Sequence, residues 1–247
     1  MTDEITVTES VGEIMVKHPE TRKPFEEMGL DYCCGGKNSL KEACENAGLS
    51  PQDVIQRLKR VIEDSGTEQS DRKDLDNIPL KELIDHIISE HHAFLKKELP
   101  RLKNLREKVY RAHQQKHGRM LDSLGRVLEK LRVDIEMHLA KEEQILFPLI
   151  KQIESHVKQG GPEPNVHCGN IANPINQMEY EHEVAGSLLA EIQKTTSGYN
   201  PPSDACESFK ALYDGLRELE DNLHEHIHLE NNILFPKAVK LEGEPGR

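Results

Sequence analysis

The sequence predicts an all-α protein, a small N-terminal helical domain followed by an antiparallel four-helix bundle. Three observations carry this. Four long stretches, about 79–113, 119–157, 173–197 and 204–240, repeat apolar residues at the 3.6-residue period of a helix, and no segment shows the period of two that a strand needs. The breaks between them are turn-rich, at His117-Gly118, Gly160-Gly161-Pro162-Glu163-Pro164 and Asn200-Pro201-Pro202, as expected of antiparallel neighbours. Ahead of them, helix starts and stops follow each other closely. Ser39-Leu-Lys-Glu42 is a capping box, Ser50-Pro51-Gln-Asp53 places Pro at a first helical position, and Gly29 and Gly48 fall where C-caps belong.

Taken in order, residues 1–64 form the small domain, in which Val54, Ile55, Leu58, Val61 and Ile62 give the helix from Pro51 one apolar face. The polar run DSGTEQSDRKDLDN holds one apolar residue, Leu75, and cannot offset its own ordering entropy, so a linker is expected at 65–78. The bundle then occupies 79–241. Pro100 and Pro148 each remove a backbone donor inside a helical pattern, which predicts kinks there.

Composition narrows the function. No apolar run approaches the roughly 18–20 residues of a membrane span, and the acidic start MTDEITVTESVGEIM lacks the basic and apolar regions of a secretory leader. A cytoplasmic protein is expected. The formal net charge of −12 disfavours nucleic acid or an anionic membrane as partner and favours cations. Five Cys in a chain this long are better read as thiols than as a disulfide framework. Thirteen His exceed the usual share of about 2% more than twofold.

Those histidines fall in an internal repeat. His138-Leu-Ala-Lys-Glu142-Glu-Gln-Ile145-Leu-Phe-Pro148 matches His226-Ile-His-Leu-Glu230-Asn-Asn-Ile233-Leu-Phe-Pro236 as H-x3-E-x2-I-L-F-P, at an offset of 88 residues. One H-x3-E pair is ordinary on a solvated helix, whereas a duplicated pair with its apolar tail is not. His and Glu four apart reach one point in a bundle interior. His92 and His182 stand at corresponding places on the other two helices, giving four His and two Glu for a dinuclear site with bridging carboxylates. His91 competes with His92, and periodicity does not separate neighbours; His92 is the choice. His86, His113, His117, His156, His167, His224 and His228 are expected at the surface or behind the ligands. With no H-E-x-x-H and a mixed imidazole–carboxylate set, iron is favoured ahead of manganese, and zinc can occupy such a site in purified samples.

A second motif is Asp31-Tyr32-Cys33-Cys34-Gly35-Gly36-Lys37. Adjacent Cys rarely form a disulfide with each other, so metal or cluster contact, thiol exchange or a reactive thiolate are the natural uses; two small buried apolar groups at a Gly turn are the plain alternative. Cys44, Cys168 and Cys206 lack partner spacing and read as structural. The D-Y-C-C-G-G-K segment, followed by H-x3-E-x2-I-L-F-P twice, resembles the di-iron iron–sulfur cluster repair proteins of the RIC or ScdA type over nearly the whole chain. That resemblance implies a hemerythrin-like bundle holding two non-haem irons per chain, oxo-bridged, on His92, His138, Glu142, His182, His226 and Glu230, with both glutamates bridging. It also implies a functional role for Cys33 and Cys34, and repair of iron–sulfur clusters damaged by nitric oxide or peroxide. Damaged iron–sulfur proteins are then the partners, NO or O2 the small ligands, and a homodimer the expected assembly. A di-iron nitric oxide reductase or an NO/O2 sensor is the competing reading. It would need only residues from about 79 onward.

Overall fold

A computed structural model describes residues 5–64, 78–160, 164 and 169–243. The expected linker lies outside them except for Ile78, as do His167 and Cys168. Among the described residues the chain is helical apart from turns and one isolated bridge between Ser10 and Ser39. By its contacts it divides into two units, Met1–Pro79 with Ile227–Lys237, and Leu80–His226 with Ala238–Arg247.

In the first unit, α1 (Val11–Lys17), α2 (Arg22–Met28), α3 (Leu40–Ala47) and α4 (Pro51–Asp64) are short because each is stopped early. The Ser39–Glu42 capping box is formed as the sequence predicts, and Ser10–Glu13 makes a second one at α1. Gly29 and Gly48 end α2 and α3 at φ of 67° and 69°, a left-handed conformation that side chains disfavour. Val11, Ile14, Phe25, Leu40, Cys44, Val54, Leu58 and Ile227 are buried in one core.

The second unit carries α5 (Leu80–His86), α6 (Ala93–Lys141), α7 (Phe147–Gln159), α8 (Ala172–Thr195) and α9 (Glu207–Leu229) as far as His226; α10 (Phe235–Glu242) follows the last π turn and returns to this unit at Ala238. Helical assignment runs unbroken through α6, yet Arg106 Nε donates to the Leu121 carbonyl at 2.9 Å. Fifteen residues of straight helix span about 22 Å, so α6 doubles back between Tyr110 and Asp122, around the expected break at His117-Gly118. Leu95, Leu102, Leu124, Leu131, Leu188, Leu212 and Leu219 from α6, α8 and α9 fill the core.

Three π-helical turns interrupt these rods at Ile87–His92, Glu142–Leu146 and Glu230–Leu234. In each, the amide after the turn donates five residues back, Ala93 to Ile88, Phe147 to Glu142 and Phe235 to Glu230. Pro148 and Pro236 follow directly. A proline in a regular helix clashes with the carbonyl four residues earlier, and a π turn just before it loosens the ladder. The irregularity expected at Pro148 is therefore a π turn. At Pro100 the helical turns run on unbroken, and Pro100 and Lys96, whose carbonyl loses its donor, are both exposed residues.

Candidate metal centre

His92 closes the first π turn, His138 and Glu142 span the junction of α6 with the second, and His182 sits on α8. His226 and Glu230 span the end of α9 and the third π turn. All six side chains are buried. Their donor atoms form two overlapping groups, His92/Glu142/His226/Glu230 and His138/Glu142/His182/Glu230, with all atoms of a group within 4.8 Å of one another. Glu142 and Glu230 belong to both.

The protonation pattern explains what such a pocket wants. His92 Nδ1 lies 2.8 Å from Glu143 Oε1 and His138 Nδ1 lies 3.0 Å from Glu181 Oε2. A carboxylate only accepts, so each ring donates its Nδ1–H outward, and in the neutral ring Nε2 then turns a lone pair inward. His92 Nε2 meets His226 Nε2 at 3.2 Å, and His138 Nε2 meets His182 Nε2 at 3.0 Å. The inward lone pairs of His92 and His138 accept from the facing imidazoles here, and a cation with nitrogen ligands at about 2.1 Å fits the same spacing. Glu142 Oε1 stands 3.2 Å from His138 Nε2 and Oε2 stands 3.4 Å from His92 Nε2, and neither oxygen receives a hydrogen bond. A buried carboxylate without donors costs several kcal/mol unless a cation meets it. The donor set fits a metal.

Behind the ligands, each outward imidazole bond ends on a carboxylate held by a lysine. Lys96 donates to Glu143 at 2.7 Å, and Lys141 pairs with Glu181, which also accepts from Gln177 at 2.9 Å. Burial raises both carboxyl pKa values, but these donors outweigh it: Glu143 falls below the usual carboxylate range and Glu181 is held down to about 2. Phe147 of the I-L-F-P tail lies over His92, ring centroids 5.5 Å apart.

His91 is buried as well, but its ring lies beside that of His226 at 6.0 Å and belongs to neither donor group. Burial pushes its pKa down to about 4. His228, expected at the surface or behind the ligands, is buried against Tyr32, its Nδ1 2.9 Å from Asn232 Nδ2. Cys44 is a buried core group as expected, whereas Cys206 is exposed, its sulfur 3.2 Å from His113 Nε2.

Cys33 and Cys34 sit in the first unit, in a turn built by Asp31. Its Oδ1 accepts the Cys33 amide at 3.0 Å, the Cys34 amide at 2.9 Å and the Cys33 thiol at 3.3 Å. The two sulfurs are 3.9 Å apart, in hydrogen-bond contact and not joined by a disulfide. Asn231 Nδ2 donates to the Cys33 carbonyl at 3.3 Å and Asn232 Nδ2 to the Tyr32 carbonyl at 3.0 Å. Any Cβ on Gly12 or Gly36 would collide with Asn232. The hydrogen bond with Cys34, then burial and the nearby Asp31, push the Cys33 thiol pKa well up.

Sequence reasoning missed Glu143, Glu181, Asn231 and Asn232. A signal existed, because the repeat copies diverge just after their shared glutamate. Glu143 supports a ligand in one copy, and Asn231-Asn232 support the cysteine turn in the other.

Residues 83–238 match the family model described as hemerythrin HHE cation binding domain, and residues 7–62 match one described as a domain of unknown function. Relatives named iron-sulfur cluster repair protein YtfE from Escherichia coli O17:K52:H18, Citrobacter koseri and Escherichia fergusonii are each 38% identical to it, over 94% of this chain and 97% of the relative.

Proposed function

Because the chain belongs to the hemerythrin-like family of iron–sulfur cluster repair proteins, we propose that it restores damaged iron–sulfur clusters in client proteins, using two non-haem irons in the bundle and the Cys33–Cys34 turn as its contact with clients. The observation that carries this is the pairing, along one chain, of a buried donor set that divides into two groups with an ordered thiol pair. His92 and His226 would hold one iron, His138 and His182 the other, and Glu142 and Glu230 would serve both. Bound iron supplies exchangeable metal and one-electron redox chemistry. The chain's own residues do the rest: Glu143 and Glu181 fix the two imidazoles, Phe147 shields His92, and Asp31 holds the turn through both cysteine amides and the Cys33 thiol. No helix among the described residues is long and apolar enough to cross a membrane. The proposed setting is the reducing cytoplasm, where the thiols persist.

The test is recovery of an NO-damaged [4Fe–4S] enzyme by the iron-loaded protein, with NO consumption measured on the same preparation. Recovery that depends on Cys33 and Cys34 supports repair. Rapid catalytic NO consumption by the bundle, with recovery indifferent to both cysteines, would favour an NO reductase instead.

A further inference from the structure

We propose that Asp31, Cys33 and Cys34 form a metal site of their own, a mononuclear port for a borderline divalent cation held by two thiolates and one carboxylate with a fourth position open. One oxygen and two sulfurs of these residues lie within 4.8 Å of one another, outside the bundle's donor set. The spacing suits one ion. Two sulfurs at 2.3 Å from a tetrahedral cation are about 3.8 Å apart, and a sulfur and an oxygen about 3.5 Å; here Sγ–Sγ is 3.9 Å and Cys33 Sγ–Asp31 Oδ1 is 3.3 Å.

The site is also held in place. Asp31 is oriented by the two amides it accepts, and the Cys33 and Tyr32 carbonyls are fixed by Asn231 and Asn232. Little rearrangement is needed before a metal arrives. The raised Cys33 pKa fits, since three groups this close resist becoming anionic together and a divalent cation removes that resistance. Binding releases the two thiol protons to solvent and leaves both sulfurs as ligands, with no change of oxidation state. Cys33 is buried and Cys34 only half-buried, so the open position faces outward beside Cys34, where a client's sulfur can enter. A three-ligand thiolate site holds a metal less completely than a closed four-ligand one, which suits passing iron on more than storing it. That last role rests on the repair reading; the binding of a cation does not.

Co2+ is the probe, because cobalt bound to thiolate shows an intense near-ultraviolet charge-transfer band that imidazole and carboxylate ligands lack. Full-length protein with its bundle already iron-loaded is titrated with Co2+ under anaerobic, phosphine-reduced conditions. The expected result is one Co2+ per chain with this band, halved in Cys34→Ser, absent in Cys33→Ser/Cys34→Ser and unchanged in Cys206→Ser. Asp31→Asn keeps the oxygen that caps the turn, so it should fold, keep the band and bind ten- to a hundredfold more weakly. A wild-type protein without the band, or a band that survives loss of both cysteines, overturns the site. If the band is absent while cluster repair proceeds, the repair reading stands without the port. If the band follows the cysteines but no preparation repairs clusters, the port stands and the repair reading falls.

Discussion

Glu142 shows how much one side chain decides. It is fully buried, faces imidazole nitrogens of His92 and His138, and belongs to both donor groups. In the proposed two-iron site Glu142→Ala would remove a ligand from both irons and should leave less than half the iron per chain; Glu230→Ala should do the same, each read by metal analysis. Glu181→Gln keeps the shape but weakens the hold on His138 Nδ1, and should lower metal affinity about ten- to a hundredfold. Competition with a chelator measures it, and unchanged affinity would contradict a positioning role. His92→Ala should lower iron occupancy and His91→Ala should not, because only the His92 ring joins a donor group. The sequence reached four of the six candidate residues through the repeat, which carries them at fixed spacing, and reached His92 and His182 from their corresponding places on the other two helices. It favoured His92 over His91, but periodicity alone does not separate them, because adjacent positions on a helix differ by about 100° and packing decides which ring turns inward. Glu181 was illegible for a related reason, and Glu143 was marked only by the divergence of the two repeat copies. A glutamate beside a ligand resembles a solvated charge until its partner imidazole, 51 or 43 residues away, is placed.

At the scale of the element, the π turns tie sequence to site. Two of them begin on a shared glutamate and end before a Phe-Pro pair, so the apolar I-L-F-P tail marks where the helix is widened. Periodicity arguments assume 3.6 residues per turn throughout and pass over such insertions. The caps were more legible, as Ser39–Glu42 and the glycines after α2 and α3 act within a few residues. Glu154 is a long-range cap the sequence concealed. Its carboxylate accepts the Leu80 amide at 3.0 Å and the Lys81 amide at 2.9 Å, closing the start of α5 from α7. Burial raises the Glu154 pKa, but Lys158 and the two amides outweigh it and hold the group below its ordinary value. A folded-state pKa below the unfolded one, near about 4.3, gives stability that is complete above that pH and is lost as pH falls through the folded value. Glu154→Gln should therefore cost about 1 kcal/mol near neutrality, with the gap to wild type closing below about pH 4. Chemical denaturation across pH measures it, and a gap that stays constant to pH 3 would contradict the cap.

For the molecule as a whole, the order of helices was legible because periodicity and turn residues agree along the entire chain. The grouping of Ile227–Lys237 with the N-terminal residues was not, since it depends on contacts such as Asn231 with the Cys33 carbonyl, 198 residues apart. The two parts of the proposed mechanism should separate by mutation. Cys33→Ala/Cys34→Ala alters none of the six candidate bundle ligands, so it should keep the bundle's two irons while losing recovery of a damaged [4Fe–4S] enzyme. The central claim is that one bundle holds two irons through shared carboxylates. Iron per chain, counted in protein purified after growth in iron-rich medium, tests it most directly when wild type and Glu142→Ala are measured side by side. Two irons are expected in wild type and fewer than one in the variant; a single iron in wild type, or two retained without Glu142, would rule out the shared-carboxylate centre.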